Sequence, residues 1–385
     1  MQIGIIGCGA MGSGIAQLAA TASHNTLIFD NNPGALHISA EKTAKGLESQ
    51  ISKGKITKEE GERILSNITY VSNLASFSNC DLVIEAIVED LDIKKQVFRE
   101  LEMVVSDTCI MATNTSSLSI TSIAAACRNA SRVIGIHFFN PAVIMPLVEI
   151  IPAAQTQSNV VTAVCNLIAD WGKTIVTAKD TPGFIVNRVA RPFYGESFKI
   201  YEEGLADMAT IDHVLKTRGG FRMGPFELTD FIGHDVNYAV TESVWTAFYF
   251  DARFKPALCQ KRLVEAGFLG RKTGRGFYDY TSEAKPSESN VSETVSTMIF
   301  ERVLAMLINE AADAVYMQIC SAADLETAMT KGVNYPKGLL SWANEFGIAK
   351  TVSILDGIFN RYHDSRYRCC PLLRDLAESN TLFQI

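Results

Sequence analysis

The segment GIHFFNPAVIMPLVEI, residues 135–150, is almost wholly apolar, and its only titratable side chains are His137 and Glu149. A carboxylate in oily surroundings needs a partner, and His137 is the one group in the segment that can become a cation. An imidazole oriented by a carboxylate is an acid–base pair that can take or give a proton near neutral pH. Two blander readings stay open on the residues alone: a satisfied core histidine beside Phe138 and Phe139, and a strand-end acid in water.

A second cluster sits at the N-terminus, where MQIGIIGCGAMGSG carries Gly7, Gly9 and Gly12 in the spacing GxGxxG, with Ala10 and Met11 inside it. The motif follows a strand-like run, opens a helix-like run and is followed by a second strand, NTLIFD, a βαβ unit of about 30 residues. In that setting Gly7 allows a tight turn, Gly9 lets backbone approach a pyrophosphate, and Gly12 lets helix and strand pack closely. The helix N-terminus supplies free N–H groups for phosphates. Asp30 ends the second strand, 23 residues after Gly7, and can accept both ribose hydroxyls while repelling a 2′-phosphate. Asn31 and Asn32 add no cation. The expected cofactor is therefore NAD and not NADP. The alternative is a glycine turn that only packs, with Asp30 in solvent.

These groups need elements to hold them. CDLVIEAI, CIMATNTS and RVIGIHFF read as further strands, each preceded by a helical segment, and residues 35–66 read as a helical pair. The alternation predicts a doubly wound, mostly parallel Rossmann-type sheet over residues 1–180. His137 then lies at a strand's carboxyl end, where such sheets bind ligands, with LVEII alongside to bring Glu149 near. Beyond Asp180 the periodicity is helical only. We expect an all-α domain over 181–280, closed by FLGRKTGRGFYDY, then a polar linker over 281–293 and a second helical copy over 294–385. The duplication rests on three blocks in register: RMGPFELTDFIG with PKGLLSWANEFG, ATIDHVLKTRGGF with AADLETAMTKGVNY, and DARFK with DSRYR, 113 or 114 residues apart. Chance likeness between amphipathic helices is the alternative.

The totals narrow the classes. A net charge of −7 without a long Lys/Arg run argues against nucleic acid. The nine cysteines form no CxxC pair and read as reduced thiols of a cytoplasmic protein. The apolar N-terminus has no cation before Lys42, and no run is long enough to span a bilayer, so no membrane segment is expected. His24, His37, His213, His234 and His363 show no ligand spacing, which speaks against a metal. His234 reads as a helix-end or loop residue and Asp235 as a cap of the next helix.

The runs GIIGCGAMGSGIAQ, DLVIEAIVEDLDIKK, ATNTSSLSI, GIHFFNP, LVEII, DTPGFIVNRV, GPFELTDFIGHD and LGRKTGRGFYDY, in this order, resemble the 3-hydroxyacyl-CoA dehydrogenases. Within that family the chain is most similar to the short-chain 3-hydroxybutyryl-CoA type, and to members with a tandem C-terminal domain. The resemblance implies that His137 is the catalytic base and Glu149 the acid that orients it. It implies that Ser116 bonds substrate oxygen near the nicotinamide and that Asn187 joins from the helical domain. It places Glu89, Lys94, Asn140 and Lys272 at NAD, and Lys53 at the CoA phosphates, while a serine used by relatives for CoA is Gly46 here. Oxidising a secondary alcohol needs a base for the hydroxyl proton while hydride leaves carbon, which suits a histidine. Ser116 and Asn187 can donate to the carbonyl oxygen as charge develops there. On the residues alone, Ser116 could instead cap the helix after NTSS, and Asn187 could be a surface residue.

The implied substrate is a hydroxyacyl-CoA, either four carbons long in fatty acid or butanoate metabolism, or 3-hydroxyadipyl-CoA in phenylacetate breakdown. Arg191 and Arg222 are the candidates to meet a distal carboxylate. Family members with one helical domain dimerise through it, so the chain is either a homodimer or a monomer whose second copy replaces the partner. A free hydroxy-acid dehydrogenase and a non-catalytic NAD-binding structural protein are the competing readings.

Overall fold

The computed structural model describes residues 1–281 and 291–385, and the greater part of the expected linker, 281–293, lies outside the described residues. The chain divides into two compact units, Met1–Thr181 and Pro182–Ile385.

The first unit is built on eight strands: β1 (Gln2–Ile6), β2 (Asn25–Phe29), β3 (Ile68–Val71), β4 (Leu82–Glu85), β5 (Ile110–Thr113), β6 (Val133–Phe138), β7 (Leu147–Pro152) and β8 (Thr174–Thr177). They form one sheet in the order β3-β2-β1-β4-β5-β6-β7-β8. Every pairing is parallel except β6 with β7. This is the Rossmann-type sheet that the alternation predicts. The central strands are continuous apolar runs because helices cover both faces, and Ile3, Ile5, Ile84, Ile134, Ile136 and Val148 lie in the core. Those helices are α1 (Ala10–Thr21), α2 (Pro33–Ser52), α3 (Lys58–Ser66), α4 (Leu91–Glu102), α5 (Ile120–Ala124) and α6 (Ser158–Asp170). The expected helical pair at 35–66 is α2 and α3. The Asn32 side chain caps the first, with Pro33 in its opening turn, and a Thr57–Glu60 capping box starts the second.

The second unit is helical: α7 (Val186–Val189), α8 (Arg191–Glu202), α9 (Met208–Thr217), α10 (Pro225–Ile232), α11 (His234–Ala247), α12 (Leu258–Glu265), α13 (Glu293–Tyr316), α14 (Ala322–Gly332), α15 (Leu339–Phe346), α16 (Ile348–Tyr362) and α17 (Pro371–Ser379). The repeated blocks make the same local joint twice. Asp212 of α9 accepts from the amides of Phe226 and Glu227, and Glu326 of α14 accepts from those of Leu340 and Ser341. Each acid lies against a glycine: a Cβ on Gly224 would sit 2.2 Å from Asp212, and one on Gly338 would sit 1.9 Å from Glu326. Gly233 and Gly347 then turn the chain at φ +100° and +103°, a region that favours glycine.

The two copies also grip each other reciprocally. Arg188 Nε donates to Glu310 Oε1 at 2.6 Å, and Arg302 Nε donates to Glu196 Oε1 at 2.5 Å. Arg188 and Arg302 are 114 residues apart, as are Glu196 and Glu310. Residue i of the first copy meets j of the second, and j of the first meets i of the second, which is the signature of a two-fold interface. Such pairs form here inside a covering of apolar residues, with Ile299, Val303, Leu307 and Ala311 of α13 wholly buried.

Candidate active site

The antiparallel register of β6 and β7 sets His137 directly opposite Glu149. His137 Nδ1 lies 2.7 Å from Glu149 Oε2, with the imidazole residue 5% and the carboxylate residue 0% exposed. An ionised carboxylate only accepts hydrogen bonds, so Nδ1 carries the proton and Nε2 keeps its lone pair in the neutral ring. The reversal between the two strands is pinned from outside: Lys173 Nζ donates to the carbonyls of Ala142 and Met145 at 2.7 and 2.8 Å. Burial holds the Lys173 ammonium below the usual lysine range.

The glycine loop is fixed by close packing. Gly7 has φ +98°, and a Cβ there would lie 2.5 Å from the Ala86 carbonyl oxygen. A Cβ on Gly12 would lie 1.9 Å from the Gly7 carbonyl oxygen. Gly9 differs, since a Cβ there meets nothing within 4 Å. The space over Gly9 belongs to a cavity of about 550 Å³ whose lining includes Gly9, Ala10, Ser13, Asp30, Ser39 and Lys42. No side chain caps α1, so the amides of its first turn, Ala10, Met11 and Gly12, are donors for an anion. Asp30 follows β2 and accepts from the Cys8 and Asn32 amides at 3.0 and 2.9 Å, which orients it at the cavity. A dinucleotide fits this cradle: open backbone for the phosphates and a carboxylate for the ribose.

Ser116 follows β5 and belongs to a network that sequence reading did not show. Glu89 Oε1 accepts from the Ser116 amide at 2.9 Å, from Ser116 Oγ at 3.3 Å and from Thr115 Oγ1 at 2.6 Å. Burial alone would raise the Glu89 carboxyl, but Lys94, Thr115 and the Ser116 amide together hold it below the usual range. Lys94 is itself buried between Glu85 and Glu89, at 2.6 and 3.3 Å. Glu85 also accepts from Thr113 Oγ1 at 2.7 Å, and Asn114 Oδ1 accepts from the Phe138 amide at 2.9 Å. These residues lock the carboxyl ends of β4, β5 and β6 together beside His137. Their one sequence signal is that EAIVED and TNTSS both follow strands. The helix after NTSS is capped by Ser119, not by Ser116.

Asn140 is exposed, Lys53 is exposed at the end of α2, and Gly46 lies on the outer face of that helix. Asn187 and Lys272 belong to the second unit. Asn187 is half-buried on α7, which sets aside the plain surface reading. Lys272 Nζ meets both carboxylate oxygens of Asp235, at 2.5 and 2.6 Å. Asp235 was expected to cap the next helix. Instead Gly233 stands at the start of α11 and Asp235 lies within its first turn, committed to Lys272. His234 is completely buried, with Nε2 2.6 Å from Asp230 Oδ1. Asp230 also accepts from the Phe277 and Tyr278 amides and from Tyr280 Oη, so this pair holds the FLGRKTGRGFYDY loop in place.

A sheet of this order with a glycine cradle and a buried His–Glu pair defines a dinucleotide-dependent oxidoreductase. The chain belongs to the 3-hydroxyacyl-CoA dehydrogenase family: the family's NAD binding domain matches residues 2–181, and its C-terminal domain matches residues 183–280 and 298–384. It is an NAD-dependent dehydrogenase acting on acyl-CoA thioesters. The 3-hydroxyadipyl-CoA dehydrogenase of Escherichia coli is 36% identical, covering 97% of each chain. The 3-hydroxybutyryl-CoA dehydrogenase of Clostridioides difficile is 39% identical and covers 73% of this chain with 99% of its own. Among solved structures, a 3-hydroxybutyryl-CoA dehydrogenase from Escherichia coli superposes with a TM-score of 0.94 at 36% identity, covering 98% of each chain. Among the described residues no helix is long and apolar enough to cross a membrane.

Proposed function

We propose that the enzyme oxidises (S)-3-hydroxyacyl-CoA to 3-oxoacyl-CoA, and catalyses the reverse, on short acyl chains such as 3-hydroxybutyryl in fatty acid or butanoate metabolism of the cytoplasm. The observation that carries this reading is the buried His137–Glu149 pair at the carboxyl end of β6. His137 Nε2 takes the hydroxyl proton, and Glu149 holds the ring and stabilises the imidazolium. Ser116 and Asn187 donate to the substrate oxygen as it becomes a carbonyl. A bound NAD would supply the hydride acceptor. Gly7, Gly9, Ala10, Met11, Gly12 and Asp30 would hold it, with Glu89, Lys94, Asn140 and Lys272 in the contacts the resemblance implies. Lys53 is assigned to the CoA phosphates.

A second reading, 3-hydroxyadipyl-CoA as substrate, is favoured by one observation: a relative that matches this chain over nearly its full length bears that name, although a solved structure matched as fully bears the 3-hydroxybutyryl-CoA name. In both readings residues 294–385 take the place of a dimer partner's helical domain, a reading the reciprocal Arg188–Glu310 and Arg302–Glu196 pairs support. Light scattering and melting of a truncation ending at Tyr280 test this, since unchanged mass and stability would contradict it.

The deciding assay mixes the protein with NADH and acetoacetyl-CoA and follows NADH absorbance. NADPH and free acetoacetate are the controls. Loss with NADH and the thioester alone is expected. Activity on the free acid only would indicate a hydroxy-acid dehydrogenase, and NADH binding without any turnover would indicate a binding protein.

A further inference from the structure

After β5 the chain runs through TSSLS, residues 115–119, before α5 begins at Ile120. This stretch has no regular structure, yet its backbone is held almost throughout by side chains. The Thr115 amide donates to Thr113 Oγ1, the Ser116 amide to Glu89, and those of Ser117 and Leu118 to Thr115 Oγ1. The amides of Ile120 and Thr121 donate to Asp180, and that of Ser122 to Ser119 Oγ. Most of these acceptors are local. Two come from far along the chain, Glu89 at one end of the loop and Asp180 at the other. Ordering a loop costs conformational entropy, and amides given to fixed acceptors are what holds it in one conformation.

Asp180 is where the sequence changes from alternating to helical, one residue before the first unit ends. Its carboxylate accepts from the Ile120 amide at 3.0 Å, the Thr121 amide at 2.7 Å and Ser119 Oγ at 3.0 Å, groups 59 to 61 residues away in sequence. The first amides of a helix have no partner within it, so α5 receives a cap from a remote acid as well as from Ser119. Thr121 Oγ1 in turn accepts from the Ala154 amide at 3.0 Å, which ties the same turn to the stretch after β7.

We infer that Asp180 is a positioning residue of the reaction: it fixes the far end of the loop that carries Ser116, so that the Ser116 hydroxyl is in place before charge develops on the substrate oxygen. This rests on the proposed reading of Ser116 as a donor to that oxygen. Glu89 alone would leave Ser117, Leu118 and Ser119 held only by contacts within the loop. With Asp180 both ends are anchored, and Ser116 lies three residues from the second anchor. A donor stabilises a developing oxyanion only when it is placed beforehand, and a misplacement of about 1 Å costs as much as ~10²-fold. A second route from Asp180 to the chemistry runs through β6. Ile120 packs on that strand, where a Cβ on Gly135 would lie 2.8 Å from Ile120 Cδ1, two residues before His137. The routes differ in what they move. Displacing His137 alters proton transfer and with it the pH dependence of kcat, whereas displacing Ser116 lowers kcat at every pH.

The test measures full-length enzyme with NADH and acetoacetyl-CoA in four forms: wild type, Asp180→Ala, Ser116→Ala and the double variant. Asp180→Ala is expected to lower kcat about 10-fold, with KM for NADH and for the thioester within about 3-fold and the pH midpoint of kcat unchanged. In the Ser116→Ala background the same substitution should change kcat by less than about 2-fold, because no hydroxyl is left to position. Asp180→Asn, which keeps one accepting oxygen, should lose about 3-fold, and it replaces Asp180→Ala in the cycle should that variant fail to fold. Wild-type kcat in the Asp180 variant overturns the inference. So does an equal loss with and without the Ser116 hydroxyl, the pattern of a purely structural role, and so does a moved pH profile, the pattern of the route through His137. Wild-type turnover in Ser116→Ala overturns the reading of Ser116 and this inference with it, whereas a slow Ser116→Ala beside an unaffected Asp180→Ala overturns this inference alone.

Discussion

Replacing Glu149 by Gln changes one oxygen for an NH2 group at the most buried point of the site. The wild-type carboxylate lies 2.7 Å from His137 Nδ1. When His137 takes the substrate proton, the charge centres are about 4 Å apart, and at an effective dielectric of about 20 their attraction is ~4 kcal/mol. A glutamine oxygen retains a neutral hydrogen bond worth about 1 kcal/mol. The transition state, in which the imidazolium forms, therefore loses about 2–3 kcal/mol, close to ~10²-fold in turnover. The assay is steady-state oxidation of (S)-3-hydroxybutyryl-CoA at saturating NAD, with NADH affinity and melting temperature measured beside it. A variant within about threefold of wild-type turnover, with NADH affinity unchanged, would falsify the assigned role of Glu149.

His137→Ala should keep NADH binding and lose at least ~10²-fold in turnover, the usual worth of a positioned base; near-normal rates would remove His137 from the chemistry. Gly9→Ala should melt like wild type, because its Cβ meets nothing in the protein, yet bind NADH more than ~10-fold more weakly. Gly12→Ala, whose Cβ would collide with Gly7, should lose stability as well; equal behaviour of the two variants in melting and titration would contradict the cradle geometry. Arg302→Leu takes the nearest cation from buried Glu196, leaving it the Tyr367 hydroxyl at 3.0 Å and Arg366 at 3.9 Å, and should cost about 3 kcal/mol in chemical denaturation, toward the low end for a broken buried pair, and a loss under 1 kcal/mol would mean the pair is not buried in solution. Burial, with the Asp30 carboxylate adding to it, pushes the Cys8 thiol up to about 11. Thiolate is the reactive form and rises tenfold per pH unit below that value, so at pH 8 only about 10⁻³ of Cys8 is reactive. Mass-spectrometric mapping should find it unmodified by iodoacetamide at pH 8 and increasingly modified toward pH 10, and rapid alkylation at pH 8 would contradict the buried setting.

Much of this molecule is legible in its sequence because the informative residues are local. The glycine loop, the apolar central strands and the spacing that lets β6 and β7 face each other all lie within short stretches. Two strands, β3 and β8, escape such reading because they are the sheet's edges: half-exposed, four residues each, and without a buried apolar run. Long-range pairs escape for a different reason. Lys94 meets Glu85 and Glu89 only after a strand, a loop and a helix have folded back on one another, and Glu89 reaches Ser116 across 27 residues. Asp235 misleads because a helix-start acid can cap its own helix or find a cation elsewhere, and Lys272 wins here. The repeat is readable as similarity, but its reciprocity is not: nothing in the string says that Arg188 seeks Glu310 and not Glu196.

That reciprocity has a consequence for how the enzyme responds to dilution. An interface of this kind between two separate chains is governed by mass action, so scarce protein would come apart. Here Arg188, Glu196, Arg302 and Glu310 lie on one polypeptide, and tethering holds the two helical copies at an effective concentration that expression level does not change. The helical unit therefore stays joined at any concentration at which the chain remains folded.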